Sequence, residues 1–341
     1  MLPQNGCVSE LDDVVDRYDR FARLEAPGRS ALYATWAQIV RDDADVAAVL
    51  ARIPDTHRQP PLVFAVSRMR GAPESTSTAW RGWVLENADA LVAECGTRSL
   101  QTNEPLRCAA LLPALALIDG PIALLEVGAS AGLCLYPDRF SYRYRMPDGR
   151  TVSLDPRDRP SAVTLDSDWT GGEPPRALPE IIWRAGIDLA PLDVRDRDDL
   201  AWLTGLVWPG EDGRRERIEA AADIAADEPP LLVAGDAADD GVIAALAASA
   251  PADATLVVTT PGVLAHVPRR GRSAVIDAAR AAGRWVTLDA PGLHDGWTTP
   301  IDAASWPASR FALALDGVVL AAVDPLGAAV EWRRGIDADR G

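Results

Sequence analysis

From residue 120 onward, short apolar runs alternate with amphipathic stretches, and this alternation constrains the fold more than any other feature of the sequence. Five runs have the length and composition of buried parallel strands, and they cover 122–127, 181–189, 229–237, 254–260 and 284–290. The stretches between them carry apolar residues at helical spacing. Strands separated by helices need right-handed crossovers, so the pattern predicts an α/β fold with a mostly parallel sheet and helices on both faces.

The N-terminal third of the chain has a different pattern. Between residues 10 and 118, apolar residues recur at three- and four-residue spacing and Pro and Gly separate the segments, which predicts a series of α-helices. We therefore expect a helical N-terminal domain at 1–119 and a Rossmann-like domain at 120–341. A Pro-, Gly- and charge-rich segment at 141–180 is predicted to be an insertion with a hairpin, and the last strands are predicted to form an antiparallel edge.

The absence of lysine and the negative net charge exclude several functions. The formal net charge is −16, and all 34 basic residues are arginine. Without lysine there is no P-loop lysine, no Schiff base to pyridoxal phosphate and no lysine general base. An acidic chain without a basic run is also a poor candidate for binding nucleic acid, which needs phosphate neutralisation.

The sequence gives no sign of a membrane segment or a metal site. The N-terminus lacks the basic and apolar regions of a signal peptide, and the longest apolar run, 108–118, is too short to span a bilayer. Four cysteines and three histidines are scattered without metal-ligand spacing or a disulfide pattern. We predict a cytoplasmic protein without a bound metal.

The stretch LLEVGASAG at 124–132 is the strongest candidate for a functional loop. It matches E-x-G-x-x-x-G, the pattern of a nucleotide-type cofactor loop, and also G-x-S-x-G, the pattern of a hydrolase nucleophile elbow. A third interpretation is a tight turn that needs small residues only for packing. The hydrolase interpretation uses Ser130 as nucleophile, with Asp236 and His266 or Asp289 and His294 as the acid and the histidine. It assigns no role to Glu126.

The cofactor interpretation accounts for more of the residues. It predicts that glycines bring the backbone close to a ligand, and that amides at the start of a following helix bind the carboxylate of S-adenosylmethionine. Glu126, at the end of the strand, is expected to lie near the amino group of that ligand or a coordinating water. The predicted cofactor-binding residues of this loop are Glu126, Gly128, Ala129, Ser130 and Gly132.

Two segments downstream are consistent with the same cofactor. AGIDLAPLD at 185–193 resembles the second-strand segment of class I methyltransferases, and VAGDAAD at 233–239 resembles the third. By this resemblance Asp188 accepts the ribose hydroxyls, Asp236 accepts the adenine amine, and the Ala237 N–H contacts a ring nitrogen. The competing interpretation is that each aspartate only caps the next helix.

Several other residues are candidates for catalysis or substrate binding. His266 follows the fourth strand and is a candidate general base, while Asp289 and His294 follow the fifth. Asn103 lies before the helix that leads into the first strand, and we count it among the substrate-binding candidates. Packing or surface positions are the competing interpretation for each of these residues.

Alternating side chains at 142–145 suggest a two-faced strand. Period two places Tyr142 and Tyr144 on one face and the two arginines on the other. The functional interpretation is a wall of a substrate pocket, whereas the competing one is a packed strand with solvated arginines.

The chain resembles a bacterial family called domain of unknown function 2332. The resemblance rests on QTNEPLRCAALLPAL, LLEVGASAGLCLYPDRFSYRY, RAGIDLAPLDV, LVWP and VLAHVP, and it covers most of the chain. It implies a helical part followed by a methyltransferase-type domain, without an assigned reaction. Cys134 stands where the family usually has asparagine, Thr259 and Thr260 replace a histidine-serine pair, and Asp289 replaces a glutamate. We count Thr260 as a substrate-binding candidate.

Together these patterns favour an S-adenosylmethionine-dependent methyltransferase that acts on a small molecule, with His266 and Asp289 as catalytic candidates. A serine hydrolase that uses Ser130 is one alternative. A non-catalytic ligand-binding or interaction protein on the same fold is the other. The sequence predicts no nucleic-acid or membrane partner, and it does not specify the oligomeric state.

Overall fold

The computed structural model of the chain describes residues 10–74, 77–101, 103–302 and 304–333. Seven described α-helices precede the first strand, as the apolar spacing predicts. They are α1 Glu10–Leu24, α2 Ala31–Asp42, α3 Ala44–Ala51, α4 Pro60–Met69, α5 Ser77–Glu86, α6 Ala88–Cys95 and α7 Arg107–Leu115. A short 3-10 helix at Asp55–His57 separates α3 from α4.

The chain divides into two compact units, and the first contains Met1–Thr102 together with Arg197–Glu216. Every regular element described within this unit is helical, including α8 at Arg197–Gly205. Local capping explains some of the helix starts: the Ser30 side chain accepts the Tyr33 N–H, and Asp43 accepts two amides at the start of α3. The interior of this unit contains a cluster of aromatic rings, in which Trp36 and Trp80 stack with ring centroids 4.9 Å apart.

The second unit, Asn103–Asp196 with Arg217–Gly341, contains an eleven-stranded sheet. The strands are β1 Ile122–Val127, β2 Ser141–Arg145, β3 Thr151–Leu154, β4 Thr164–Thr170, β5 Ile181–Asp188, β6 Leu231–Ala234, β7 Thr255–Pro261, β8 Arg284–Asp289, β9 Phe311–Leu315, β10 Val318–Val323 and β11 Ala329–Trp332. Their order in the sheet is β3-β2-β4-β11-β10-β9-β8-β7-β1-β5-β6.

Five neighbouring strands, β6-β5-β1-β7-β8, form an entirely parallel block. Four described α-helices lie between these strands in the sequence: α8, α9 at Arg214–Asp227, α10 at Val242–Ala247 and α11 at Arg269–Ala282. On one face of the block, Leu125, Val127, Val258 and Trp285 pack together with apolar residues of α10 and α11. The predicted α/β class and the mostly parallel sheet are confirmed.

The rest of the sheet differs from the prediction at one point. Strands β9, β10 and β11 are antiparallel, as expected, but they do not form an edge. The segment at 141–180 contains the predicted hairpin, β2 with β3, and adds β4, which pairs with β11. The insertion therefore extends the sheet beyond the C-terminal strands and covers the edge that they would otherwise expose.

None of the described helices has the length and apolar character needed to cross a membrane.

Candidate functional site

The loop after β1 is a tight turn with three residues in the left-handed region. The φ angles are 74° at Gly128, 52° at Ser130 and 73° at Gly132. At Gly128 a Cβ would lie 2.3 Å from Cγ2 of Val263, so the position requires glycine both for its conformation and for its space. The backbone conformation of this turn therefore accounts for the glycines of the motif.

The cofactor interpretation expected the loop to lead into an α-helix, but it does not. It leads into a single 3-10 turn, Leu133–Leu135, and the chain then enters β2. One turn has no appreciable helix dipole to offer an anion. The expectation of helix N-terminal amides at this loop is therefore wrong, because the insertion starts where that helix would stand.

Most amides of the loop already have acceptors inside the protein. The N–H groups of Gly128 and Ala129 donate to the Ile187 carbonyl, at 2.8 and 3.2 Å, and the Gly132 N–H donates to the Ala129 carbonyl at 2.7 Å. The Ser130 N–H donates to the carboxylate of Asp188. These amides hold the turn against β5, and they are not directed at a ligand carboxylate.

Asn103 binds both ends of the turn. Its side-chain N–H donates to the Ala129 carbonyl at 3.1 Å, and its Oδ1 accepts the Leu133 N–H at 2.8 Å. The residue is 2% exposed. Asn103 was predicted to bind substrate, but the structure gives it the role of fixing the loop from the segment that precedes α7.

Asp188, at the end of β5, joins the loop directly. Its Oδ2 accepts the Ser130 N–H at 2.8 Å and its Oδ1 accepts the Ala190 N–H at 2.9 Å. The side chain is only partly buried. Each carboxylate oxygen can accept more than one hydrogen bond, so Asp188 is oriented by the loop and still has acceptor capacity.

Gly186 explains how β5 comes so close to the loop. A Cβ on this residue would lie 2.4 Å from Cβ of Ala129 and 2.9 Å from Cδ2 of Leu232. Sequence reasoning did not assign a role to this glycine. An isolated glycine inside a strand pattern is the signal for such a close backbone approach.

Asp236 follows β6, the strand next to β5. It is exposed, and its Oδ1 accepts the Ala238 N–H at 2.8 Å in a local turn. Because β5 and β6 are parallel and Asp188 pairs with Ala234, Asp188 at the end of β5 and Asp236 just after β6 lie at the same edge of the sheet. Ala237, the predicted adenine contact, lies in the same turn and is partly buried.

Glu126 is buried beneath the loop. It is 1% exposed, and its Oε2 has no hydrogen-bond partner among the described residues. Burial raises the pKa of this carboxyl well above its usual range; nearby Cys134 acts in the same direction, whereas Arg107 opposes it. This burial distinguishes Glu126 from partly buried Asp188 and exposed Asp236.

A second group of predicted residues lies on β7 and β8. The Trp285 indole N–H donates to the Thr260 hydroxyl at 3.0 Å, and that hydroxyl donates to Thr287 at 2.8 Å. The Thr287 hydroxyl donates to Oδ2 of Asp289 at 2.5 Å. Thr260 and Asp289 are both 0% exposed, so this chain of hydrogen bonds is an internal network.

His294 completes the network. Its Nε2 lies 3.5 Å from Oδ2 of Asp289, and its Nδ1 accepts the Gly296 N–H at 3.0 Å. Burial raises the pKa of Asp289, while the neighbouring His294 and the hydrogen bond from Thr287 act against it. Since Nδ1 accepts an amide proton, Nε2 is the ring nitrogen that faces the carboxylate.

This geometry gives no support to a hydrolase that pairs Asp289 with His294. A catalytic histidine needs one ring nitrogen on the acid and the other on the serine, but Gly296 occupies the second nitrogen of His294. Ser130 is 3% exposed, and its turn is not followed by the α-helix of a nucleophile elbow.

The sheet separates the two groups of residues. Side chains alternate between the faces of a strand, and Leu125 and Trp285 share one face of the block. Thr260 and Asp289 project on that face, whereas Glu126 projects on the opposite face beside Thr259, its register partner. The predicted cofactor-binding glutamate and the predicted catalytic aspartate are therefore not brought together.

The remaining predicted residues lie elsewhere. Tyr142 and Tyr144 are 0% exposed, and their hydroxyls donate to the carbonyls of Pro137 and Ala109 at 2.6 and 2.8 Å. Both tyrosines are therefore core residues, and the prediction of a pocket wall is not supported. His266 is exposed after the 3-10 turn that follows β7, where no described contact fixes its ring.

An ion pair beside Asn103 has no counterpart in the sequence predictions. Glu104 is 1% exposed, and its Oε1 lies 2.7 Å from Nε of Arg217 on α9 and accepts the Leu106 N–H at 3.0 Å. This pair connects the segment before α7 to α9. The two residues are 113 positions apart, and no local pattern pairs them.

Two cavities lie near the parallel block. The smaller, of about 240 Å³, is lined mainly by apolar residues and includes Ala131 of the loop, Leu192 and Leu232. The larger, of about 970 Å³, is lined by the insertion and α9. Neither cavity is lined by Asp188 or Asp236, and the described residues contain no cluster of three or more potential metal ligands.

Comparison with known proteins identifies a family and nothing more specific. No curated protein and no solved structure matches the chain. A family model matches residues 15–332, which is most of the chain. The protein therefore belongs to the family described as "Uncharacterized protein conserved in bacteria (DUF2332)".

Proposed function

We propose that this protein is an S-adenosylmethionine-dependent methyltransferase with a Rossmann-like domain, and that it acts on a small molecule. The observation that carries the proposal is the position of Asp188. Both of its oxygens accept backbone amides, one from Ser130 in the loop after β1 and one from Ala190. A carboxylate oriented in this way, and only partly buried, is suited to accept a pair of vicinal hydroxyls.

The order of the parallel strands supports this location. From β1 the chain adds β5 and β6 on one side, and it then crosses to add β7 and β8 on the other. Ligands of such sheets bind beyond the carboxyl ends of the strands, where the order reverses. In this protein that point lies between β1 and β7, next to the loop at 128–132.

The residues at this edge match the sugar and base of the cofactor better than its amino-acid end. Asp188 is available for the ribose hydroxyls, and exposed Asp236, on the neighbouring strand end, is available for the adenine amine. The amides of Gly128, Ala129, Ser130 and Gly132 already donate within the protein. The loop is therefore proposed to orient Asp188, and not to bind the methionine carboxylate. When bound, S-adenosylmethionine supplies an electrophilic methyl group on its sulfonium.

For the transfer step, His266 is the proposed base for acceptors that must lose a proton. It is exposed and follows β7, on the side of β1 opposite the two aspartates. Asp289 is proposed to position His294 and β8 through the internal network, since it is 0% exposed and does not reach solvent. Methyl transfer depends largely on positioning, so a single accessible base is sufficient.

One observation favours a second candidate function, the binding of an adenosyl ligand without catalysis. Thr260 and Asp289 lie where the sequence predicted a reaction centre, but both are fully buried and bonded within the protein. In this case the ligand would bind at the same edge without turnover.

The proposal is tested by comparing ligands that contain different parts of the cofactor. Thermal unfolding is measured with S-adenosylhomocysteine, adenosine and methionine, because a ligand of the folded state raises the apparent stability. We expect S-adenosylhomocysteine to raise the Tm, adenosine to retain most of that rise, and methionine to have no effect. The absence of a rise with all three would refute both candidate functions.

Matched variants locate the site. Asp236→Asn is expected to abolish most of the rise, whereas Asp277→Asn, at an exposed position on α11, is expected to retain it. Methyl transfer from labelled cofactor to a metabolite extract then separates the two candidates. Binding with transfer supports the methyltransferase, and binding without transfer supports the binding protein.

A further inference from the structure

Two cysteines that are distant in sequence meet beneath the loop at 128–132. Cys108 lies in the first turn of α7, and Cys134 lies in the 3-10 turn after the loop. The Cys108 thiol donates to the Cys134 carbonyl at 3.5 Å, and the Cys134 thiol donates to the Glu104 carbonyl at 3.4 Å. The Cys108 thiol therefore contacts the backbone of Cys134 directly.

The surroundings make the two thiols unequal. Cys134 is 3% exposed and Cys108 is 0% exposed, so Cys134 is the less deeply buried of the two. The neighbouring Cys108 thiol lowers the pKa of Cys134, although burial acts against it, and burial raises the pKa of Cys108. Arg107, which precedes Cys108, favours the Cys134 thiolate, whereas Glu104 disfavours it.

We propose that Cys108 and Cys134 form an oxidative modification site, at which a peroxide converts the two thiols into a disulfide. The Cys134 thiolate attacks one peroxide oxygen, the O–O bond breaks, and the leaving oxygen takes a proton and departs as water or alcohol. Cys134 is then a sulfenic acid. The Cys108 sulfur attacks the sulfur of Cys134, the S–O bond breaks, and water leaves as the S–S bond forms. Two thiols are oxidised and one peroxide is reduced.

The disulfide would join the same two segments that Asn103 already connects by hydrogen bonds. Asn103 binds the Ala129 carbonyl and the Leu133 N–H, one residue before Cys134. A covalent link between α7 and the turn therefore stiffens the loop that orients Asp188. The inference does not depend on the proposed function, because it concerns only the chain's own thiols.

The test uses the full-length protein in fully reduced and peroxide-treated forms. After treatment with one to a few equivalents of hydrogen peroxide, the protein is denatured, the free thiols are alkylated, and peptides are mapped by mass spectrometry. We expect a linked peptide pair that contains Cys108 and Cys134, and alkylated Cys95. A disulfide that closes a loop of this length is expected to raise the Tm by roughly 5–10 °C.

Conservative variants show whether the rise belongs to this pair. Cys134→Ser and Cys108→Ser are expected to lose the rise, while Cys95→Ser, at another buried cysteine, is expected to keep it. The inference is overturned if both thiols stay alkylatable after treatment. It is also overturned if Cys134 accumulates as sulfinic acid without a link, or if the linked peptides contain other cysteines.

Discussion

Replacing Asn103 by alanine tests whether one side chain fixes the loop after β1. The substitution removes a donor to the Ala129 carbonyl at 3.1 Å and an acceptor for the Leu133 N–H at 2.8 Å, at a site that is 2% exposed. Each buried backbone group left without a partner costs about 1–3 kcal/mol. We expect the free energy of unfolding to fall by about 2–5 kcal/mol in urea denaturation.

Amide hydrogen exchange shows whether the loss arises at the loop. The Leu133 amide loses its acceptor in Asn103→Ala and is expected to exchange faster, while amides in the middle of β1 follow the global change only. Asn103→Asp is the matched control, because it keeps an acceptor for Leu133 but places a second oxygen against the Ala129 carbonyl. Its stability is expected to recover partly when the carboxyl is protonated. A loss below about 0.5 kcal/mol in the alanine variant, with unchanged protection at Leu133, would refute the reasoning.

Three further substitutions test the surroundings of the loop. Gly128→Ala combines a φ of 74° with a Cβ 2.3 Å from Val263, and is expected to lower the free energy of unfolding by about 2–4 kcal/mol in urea; a neutral result would contradict the backbone argument. Glu126→Gln is expected to stabilise the protein by about 1 kcal/mol or more at neutral pH, with a smaller gain near pH 4. The pKa of Glu126 is higher in the folded than in the unfolded state, so the wild type loses stability as the pH rises through the folded pKa. Glutamine does not titrate, so the stability gained by Glu126→Gln is expected to grow with pH. A stability gain that shrinks with rising pH would contradict this sign. Arg217→Ala leaves buried Glu104 without the guanidinium 2.7 Å away and is expected to cost about 3 kcal/mol by thermal unfolding, and a cost below about 1 kcal/mol would argue against a buried ion pair.

The parallel strands could be predicted because their signal is local. IALLEV at 122–127 is a continuous apolar run, and the structure buries all six residues in β1. The position of the antiparallel strands could not be predicted in the same way. The pairing of β4 with β11 joins Asp168 to Ala329 across a long stretch of sequence, and no local pattern specifies such a partner.

The candidate site shows the same limit. The left-handed turn at Gly128 and Gly132 follows from residue type, because glycine adopts that conformation without strain. The hydrogen-bond acceptors of the amides in this turn do not follow from residue type. Their acceptors are the Ile187 carbonyl and the Asp188 carboxylate, which depend on how β5 pairs with β1.

Whether a polar side chain is buried decides whether it is available for function or only for structure. The sequence does not determine the burial of a single polar residue. Thr260 and Asp289 stand at strand ends where a reaction centre is commonly placed, but both lie inside the internal network. Thr287 precedes Asp289 by two residues and shares its face. The period-two pattern of β8 is the signal from which this partner could have been inferred.

Isothermal calorimetry with S-adenosylhomocysteine on the wild type and on Asp188→Asn tests the central proposal most directly. We expect wild-type binding with one site per chain, and affinity at least about tenfold weaker in the variant, since one charge-assisted acceptor of the sugar is lost. The unliganded Tm of the variant is measured alongside, so that a folding defect is recognised. No binding to the wild type, or equal affinity in a folded Asp188→Asn protein, would contradict the account.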